Sequence, residues 1–394
     1  MKLQNENIIC FAGEDWWFHN PHSNLHIMQS LASNNKVLFV NSPGIKMPDF
    51  KNDKYAYKRV FKKLRSLTRF IKQAQPNIWV FTPFAIPVIP TYQNAISKFN
   101  TAMLSFQIKF LKRWLKLYDP IVWVTVLVAK DVALQLRHDG GKCLVYYCVD
   151  NTPHYPGVDH TYMVALENDL HTKADLALFV NHTLLEERKH FNPNTFYTSH
   201  GVDYAHFSTA QAKSLPIPTD LARISRPIAG YMGEINSLDL ELLKNLAQNN
   251  PSISFVFVGD IYSNMQAIQD LHNVHFLGKR TYDQLPAYLQ CFDVCCLYYK
   301  TEATFNNYRN PKKFLEYLAS GKPIVSVAIL EVEYFKEYVS IAKSYSQYND
   351  LLKQAIAHDP PELRLKRIQF AQRQTWENVT EEISGRIKSV MAKD

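Results

Sequence analysis

Late in the chain, Lys312, Lys313 and Glu316 open a segment in which Phe314, Leu315 and Leu318 keep helical spacing. At a helix N-terminus the unpaired backbone N–H groups and the dipole favour an anion such as a diphosphate. A lysine there neutralises phosphate charge, and a carboxylate accepts hydrogen bonds from sugar hydroxyls. The set suits a nucleotide sugar. The plainer alternative is an amphipathic helix with solvated charges at its start, and these residues alone leave both readings open. Gly321 and Pro323 end the helix as a glycine cap followed by proline does, and the chain then enters a β-branched strand at Ile324–Val327.

A second candidate is Asp150, which ends the apolar run Cys143-Leu-Val-Tyr-Tyr-Cys-Val. Open α/β sheets put their chemistry at the carboxyl ends of strands. A carboxylate there, within hydrogen-bond reach, can accept the proton of an attacking hydroxyl. Asn151 and Pro153 equally suit an Asx-turn or helix-cap aspartate, so both roles stand. Ala229-Gly-Tyr-Met-Gly233-Glu234 is a strand ending in glycine ahead of a helical run at Leu238–Leu246. Glycine there lets the backbone approach a pyrophosphate. Phe255-Val-Phe-Val-Gly259-Asp260 repeats the form and reads as structural. Neither GxGxxG nor GxxxxGK(S/T) occurs, which argues against a dinucleotide oxidoreductase or a P-loop protein.

These residues need elements to position them. Strands are expected near Ile8–Ala12, Val37–Asn41, Ile78–Thr82, Ile121–Val126, Leu144–Val149, Leu176–Asn181 and Phe196–Ser199. They continue near Ile228–Met232, Ser254–Val258, Val274–Leu277, Val294–Tyr298 and Ile324–Val327. Several are apolar throughout, as parallel strands covered on both faces are. Their alternation with amphipathic segments implies right-handed βαβ units in doubly wound sheets. A length of 394 residues, 46% of them hydrophobic, suits two or three domains. Residues 207–226, with Pro216, Pro218 and little periodicity, read as a linker. The six cysteines show no disulfide or zinc spacing and read as buried thiols.

Lys and Arg number 44 against 36 Asp and Glu, a formal net charge of +8 that predicts an anionic partner. Residues 51–72 carry nine Lys/Arg and one acid. Lys58, Lys62, Arg65, Arg69 and Lys72 would form one cationic stripe on a helix, beside Tyr57, Phe61, Leu64, Leu67 and Ile71. Residues 106–117 repeat the device, with Lys109, Lys112, Arg113 and Lys116 around Phe110, Trp114 and Leu117. Such helices lie in the interface of anionic membranes, though ordinary surface helices share the pattern. No nucleic-acid-binding signature accompanies the charge. MKLQNENIICFAG lacks a secretory h-region, and apolar runs such as Ile121–Ala129 fall short of the roughly 20 residues of a membrane span. The expectation is a cytoplasmic protein, peripheral on the inner face of the plasma membrane.

Asn310-Pro-Lys-Lys313-Phe-Leu-Glu316-Tyr-Leu-Ala-Ser-Gly-Lys-Pro resembles the donor-site helix of GT-B glycosyltransferases. The order of the flanking strands and glycines extends the resemblance over about 227–330. It implies that Lys313 binds phosphate and Glu316 the ribose, with Asn310 and Tyr299 at the donor and Gly233 beside the phosphates. The Gly278-Lys279-Arg280 loop would lie near the base. Tyr308 stands where many retaining members carry a second glutamate. Glu234 stands where they often carry arginine, so phosphate charge falls on Lys313 or another cation. The run ending at Asp150, together with His200-Gly-Val-Asp203, is similar to the inverting glucuronosyltransferases of xanthan assembly. That similarity implies Asp150 as catalytic base and an inverting transfer, with His154 and His200 as second-rank candidates. Gly13-Glu14-Asp15-Trp16-Trp17 matches a GT-B loop on the acceptor side. This makes Gly13 and Asp15 weak site candidates and leaves Trp16 and Trp17 as sugar platforms or packing anchors.

The expected architecture is α/β, with two doubly wound Rossmann-like domains facing across a cleft. Residues 1–206 would bind acceptor, 207–226 link, and 227–371 bind the nucleotide sugar. A helix over about 372–394, anchored by Trp376, would cross back to the first domain. The expected activity is transfer of a sugar from a UDP-sugar to a glycolipid or saccharide acceptor in envelope or exopolysaccharide synthesis. No metal, no cofactor and no nucleic acid is expected to take part. A UDP-sugar epimerase of the same architecture and a non-catalytic membrane-docked scaffold are the alternatives.

Overall fold

The computed structural model describes all residues except 1, 19–20, 43–60, 62–64, 88–91, 156–157, 213, 236–237, 262–263, 302–305, 307 and 394. The chain divides into two compact units. The first holds Met1–Val180, Leu184–Thr198 and Val379–Asp394, and the second holds Asn181–Thr183 and Ser199–Asn378.

The first unit is built on strands β1 (Asn7–Phe11), β2 (Lys36–Val40), β3 (Ile71–Gln75), β4 (Ile78–Phe81), β5 (Ile121–Val124), β6 (Cys143–Cys148), β7 (Leu176–Phe179) and β8 (Thr195–Tyr197). Their order across the sheet is β3-β4-β2-β1-β5-β6-β7-β8. All pairings are parallel except β3 with β4. β5, β6 and β7 are buried at every position, which is why they read as unbroken apolar runs. Each fully buried Val, Leu, Ile or Phe contributes roughly 1.5–3 kcal/mol.

The second unit carries β9 (Ile228–Met232), β10 (Ser254–Val258), β11 (Val274–Phe276), β12 (Val294–Leu297), β13 (Ile324–Val327) and β14 (Ser340–Ala342). They form an all-parallel sheet in the order β11-β10-β9-β12-β13-β14. Strand order reverses between β1 and β5 in the first sheet and between β9 and β12 in the second. The carboxyl ends at such reversals are where open α/β sheets hold ligands. Phe207, Ala210 and Leu221, within the stretch expected as a linker, are buried in the second unit's core. Gly321 ends the helix Lys312–Ser320 in the left-handed conformation, at φ 72°. The final helix spans Trp376–Met391; Val379, Ile383 and Ile387 on it are buried. All six cysteines are free and buried.

One expected element is corrected. The helical stripe does not run to residue 72: Ile71 and Lys72 stand in β3, opposite Phe81 and Val80. Asn77, at φ 63°, closes a tight hairpin, and the buried apolar residues of β4 recruit the preceding polar segment as an edge strand. Lys58, Lys62, Tyr57 and Leu64 lie outside the described residues. Arg69 and Lys72 sit over the Trp17 ring, at 4.6 and 5.7 Å from its centroid.

Candidate active site

In the second unit, Gly233 follows β9 and Tyr299 lies just past β12, so the β9/β12 reversal brings both to one place. Gly233 has φ +125°, and a Cβ there would lie 2.4 Å from the Lys313 amine. That amine donates to the Tyr231 hydroxyl at 2.6 Å and stands 3.9 Å from the Tyr231 ring centroid and 5.5 Å from that of Tyr299. The helix carrying Lys313 starts after Pro311, which supplies no side-chain cap to its first N–H groups. Tyr317 locks this helix to the sheet: its hydroxyl accepts from the Met232 N–H at 2.8 Å. The tyrosine of the glutamate-tyrosine pair therefore has a structural task.

Electrostatics follow from this crowding. Desolvation holds the Lys313 ammonium below the ordinary lysine range, and the nearby Arg309 charge adds to it while Tyr299 opposes it. Burial raises the Tyr299 phenol, but the Lys313 and Arg309 cations outweigh it and leave the phenol below its usual range. Desolvation raises the Glu316 carboxyl, against the opposing charges of Lys312, Lys313 and His206. His206 in turn stacks on Tyr282 with ring centroids 4.6 Å apart.

Three contacts brace the approach to this helix. The Asn181 amide donates to the Tyr308 carbonyl at 3.2 Å. The Asn310 amide reaches Glu331 at 3.4 Å, and Glu331, fully buried, also binds the His182 N–H and Nδ1 at 2.9 Å each. His200 is hydrogen-bonded to the Asn310 backbone; burial, followed by the Lys312 charge, pushes its pKa down to about 3. His200 is thus a neutral, buried brace of the donor segment. Gly201, beside it, packs against Trp376, whose ring atom Cδ2 is 2.6 Å from where a Cβ would be.

Asp150 lies in the first unit, two residues past β6. One carboxylate oxygen accepts from the Asn151 N–H at 2.8 Å and the other from the Tyr155 hydroxyl at 2.6 Å. The Asn151 side chain accepts from Arg188 at 3.0 Å and meets His154 Nδ1 at 2.9 Å. Arg188 pairs with buried Glu167, which also accepts from the Tyr146 hydroxyl at 2.5 Å. An ion pair behind the loop therefore fixes the residue next to Asp150. His154 is exposed, and desolvation with the His160 and Arg188 charges lowers its pKa.

Gly13 is exposed after β1. Asp15 is committed to structure: it accepts from the Trp17 N–H at 2.9 Å and the Ser66 hydroxyl at 2.6 Å, within a network that includes buried Asn41 and Thr82. Trp16 packs edge-on against Phe39 at 5.0 Å, so both tryptophans have packing partners. Among the described residues no three His, Cys, Asp or Glu come together as a metal-binding group. Arg309, Tyr231, Tyr155, Arg188, His182 and Glu331 escaped the sequence reading. An arginine directly before Asn-Pro was the one local signal available.

Residues 229–344 match the family model described as Glycosyl transferases group 1. That stretch of the chain is therefore similar to group 1 glycosyltransferases, and the two α/β units have the GT-B type of fold. It is 30% identical over 149 residues to a Bacillus subtilis protein assigned as the teichuronic acid biosynthesis glycosyltransferase TuaH. That match spans 35% of this chain and 37% of the relative's length. Over 99% of this chain and all of the other, the fold matches the α,α-trehalose 6-phosphate synthase of Burkholderia multivorans, with TM-score 0.65 and 13% identity. Anabaena Alr3699/HepE in complex with UDP matches over 98% of this chain and 100% of the other, with TM-score 0.62 and 15% identity.

Proposed function

We propose that the protein transfers a sugar from a UDP-sugar to a lipid-linked or saccharide acceptor in envelope or exported polysaccharide synthesis, with inversion at the anomeric carbon. The observation that carries this reading is the Lys313 amine seated on side-chain-free Gly233, beside the start of the helix that also bears Glu316. A diphosphate meets there a cation, a helix dipole and an open backbone. Glu316 grips the ribose. Asp150 takes the proton of the acceptor hydroxyl as its oxygen attacks the anomeric carbon and the bond to UDP breaks. Lys313 and the dipole then meet the charge on the departing diphosphate. The inverting assignment draws on the similarity of the Asp150 and His200–Asp203 segments to the xanthan-assembly enzymes. No cofactor or metal enters this scheme.

The acceptor reading draws on the helix Gln93–Trp114. Phe106, Phe110 and Trp114 on it are 71%, 60% and 52% exposed, and Phe99 is exposed as well. At 3.6 residues per turn, Phe99, Phe106 and Phe110 fall within about 40° of one another. Leu104, Ile108 and Leu111 turn into the core from the other side, and Leu117, expected with the surface set, is buried. Lys109, Arg113 and Lys116 are exposed beside the aromatic row. A row of aromatics flanked by cations suits an anionic lipid surface, where a lipid-linked acceptor is found. No helix among the described residues is long and apolar enough to cross a membrane.

The test is a screen of UDP-sugars for UDP release with and without lipid-extract acceptors. Acceptor-dependent release is expected, and Asp150→Asn should lower it by about 100-fold or more while UDP affinity stays close to wild type. Conversion of a UDP-sugar to its epimer without acceptor would overturn the transferase reading.

A further inference from the structure

We propose that Arg309 acts with Lys313 as a second cation on the donor's diphosphate, an inference that rests on the donor-site reading above. The Arg309 guanidinium carbon lies 5.1 Å from the Tyr299 ring centroid, and the Lys313 amine lies 5.5 Å from the same centroid. Two cations from one short segment thus converge on one buried ring at the β9/β12 reversal. The Arg309 charge opposes the Lys313 ammonium, and a ligand of two or more negative charges relieves that opposition. Guanidinium suits the task because its planar fork matches two phosphate oxygens, where an ammonium acts as a point charge.

Arg309 is also held ready. Asn181 fixes the Tyr308 carbonyl on one side of it, and Glu331 and His200 fix the Asn310 side chain and backbone on the other. A side chain on backbone pinned at both neighbours loses less freedom on binding. The position just after the β9 glycine offers no cation, because it is Glu234, an exposed acid. This chain supplies the charge from the loop before the donor helix.

Calorimetric titration of wild type, Arg309→Gln, Arg309→Met and Lys313→Ala with UDP, and with uridine at higher protein concentration, tests the assignment. Both Arg309 variants should weaken UDP binding about tenfold while leaving uridine binding unchanged. The methionine variant keeps an apolar contact for Tyr299 and decides the matter if glutamine impairs folding. Wild-type UDP affinity in the Arg309 variants, with loss only in Lys313→Ala, overturns the proposal and leaves the donor site standing. Equal loss of UDP and uridine assigns Arg309 a structural role and also overturns it. A wild-type protein that binds no UDP removes the donor site and the proposal together.

Discussion

Lys313 owes its position to what Gly233 lacks. At φ +125° a side chain is strained by roughly 1–3 kcal/mol, and the first atom a new methyl would meet is the Lys313 amine, 2.4 Å away. The flexible lysine end can move aside, so Gly233→Ala should fold with a modest loss of stability and bind UDP at least about tenfold more weakly. A thermal midpoint and a UDP titration on the same variant check this; unchanged affinity would separate Gly233 from the site. The helix that carries Lys313 and Glu316, and its Gly321 cap, were legible because they follow from local spacing within one segment. Arg309 and Tyr231 were not: Arg309 stands in a loop that carries no periodic signal, and Tyr231 meets Lys313 across 82 positions of sequence. Asp150 was legible as a strand-end carboxylate, but its Tyr155 partner was not, because a loop phenol carries no periodic signal.

Parallel strands that are apolar throughout announce themselves, and most of the sheet was readable for that reason. β14 escaped because Ser-Ile-Ala, only partly buried, carries no apolar or β-branched run. β3 escaped because its polar sequence, Ile-Lys-Gln-Ala-Gln, carries the same charges as the stretch before it. The helix Gln93–Trp114 shows the limit of periodicity: the pattern finds its cations, whereas the fold decides which apolar side chains stay outside. If that outer row meets a membrane, Phe106→Ser with Phe110→Ser should cut co-sedimentation with anionic vesicles about tenfold or more, given roughly 1.5–3 kcal/mol per large side chain buried. Thermal stability should hardly change, because both residues are exposed in the folded protein. Equal sedimentation of wild type and variant would remove this helix from any membrane role.

Across the whole molecule, a formal charge of +8 suits an anionic surface and an anionic substrate. Two buried histidines tie stability to pH: His200 is pushed down to about 3 and His171 to about 4, chiefly by burial. Both stay neutral in the fold, while the unfolded chain takes up protons as pH falls through about 6.5. Their contribution is therefore present above about pH 6.5 and lost as pH drops toward 4 and 3, at up to about 1.4 kcal/mol per pH unit for each. His200→Gln should lose less stability over that window than wild type in thermal unfolding; parallel curves would contradict the assignment. The most direct test of the account is a UDP titration of wild type against Lys313→Ala. The wild-type protein should bind UDP, and the variant should bind at least about tenfold more weakly. Equal affinity in the two proteins, or no binding by either, would contradict a donor diphosphate held at the start of this helix.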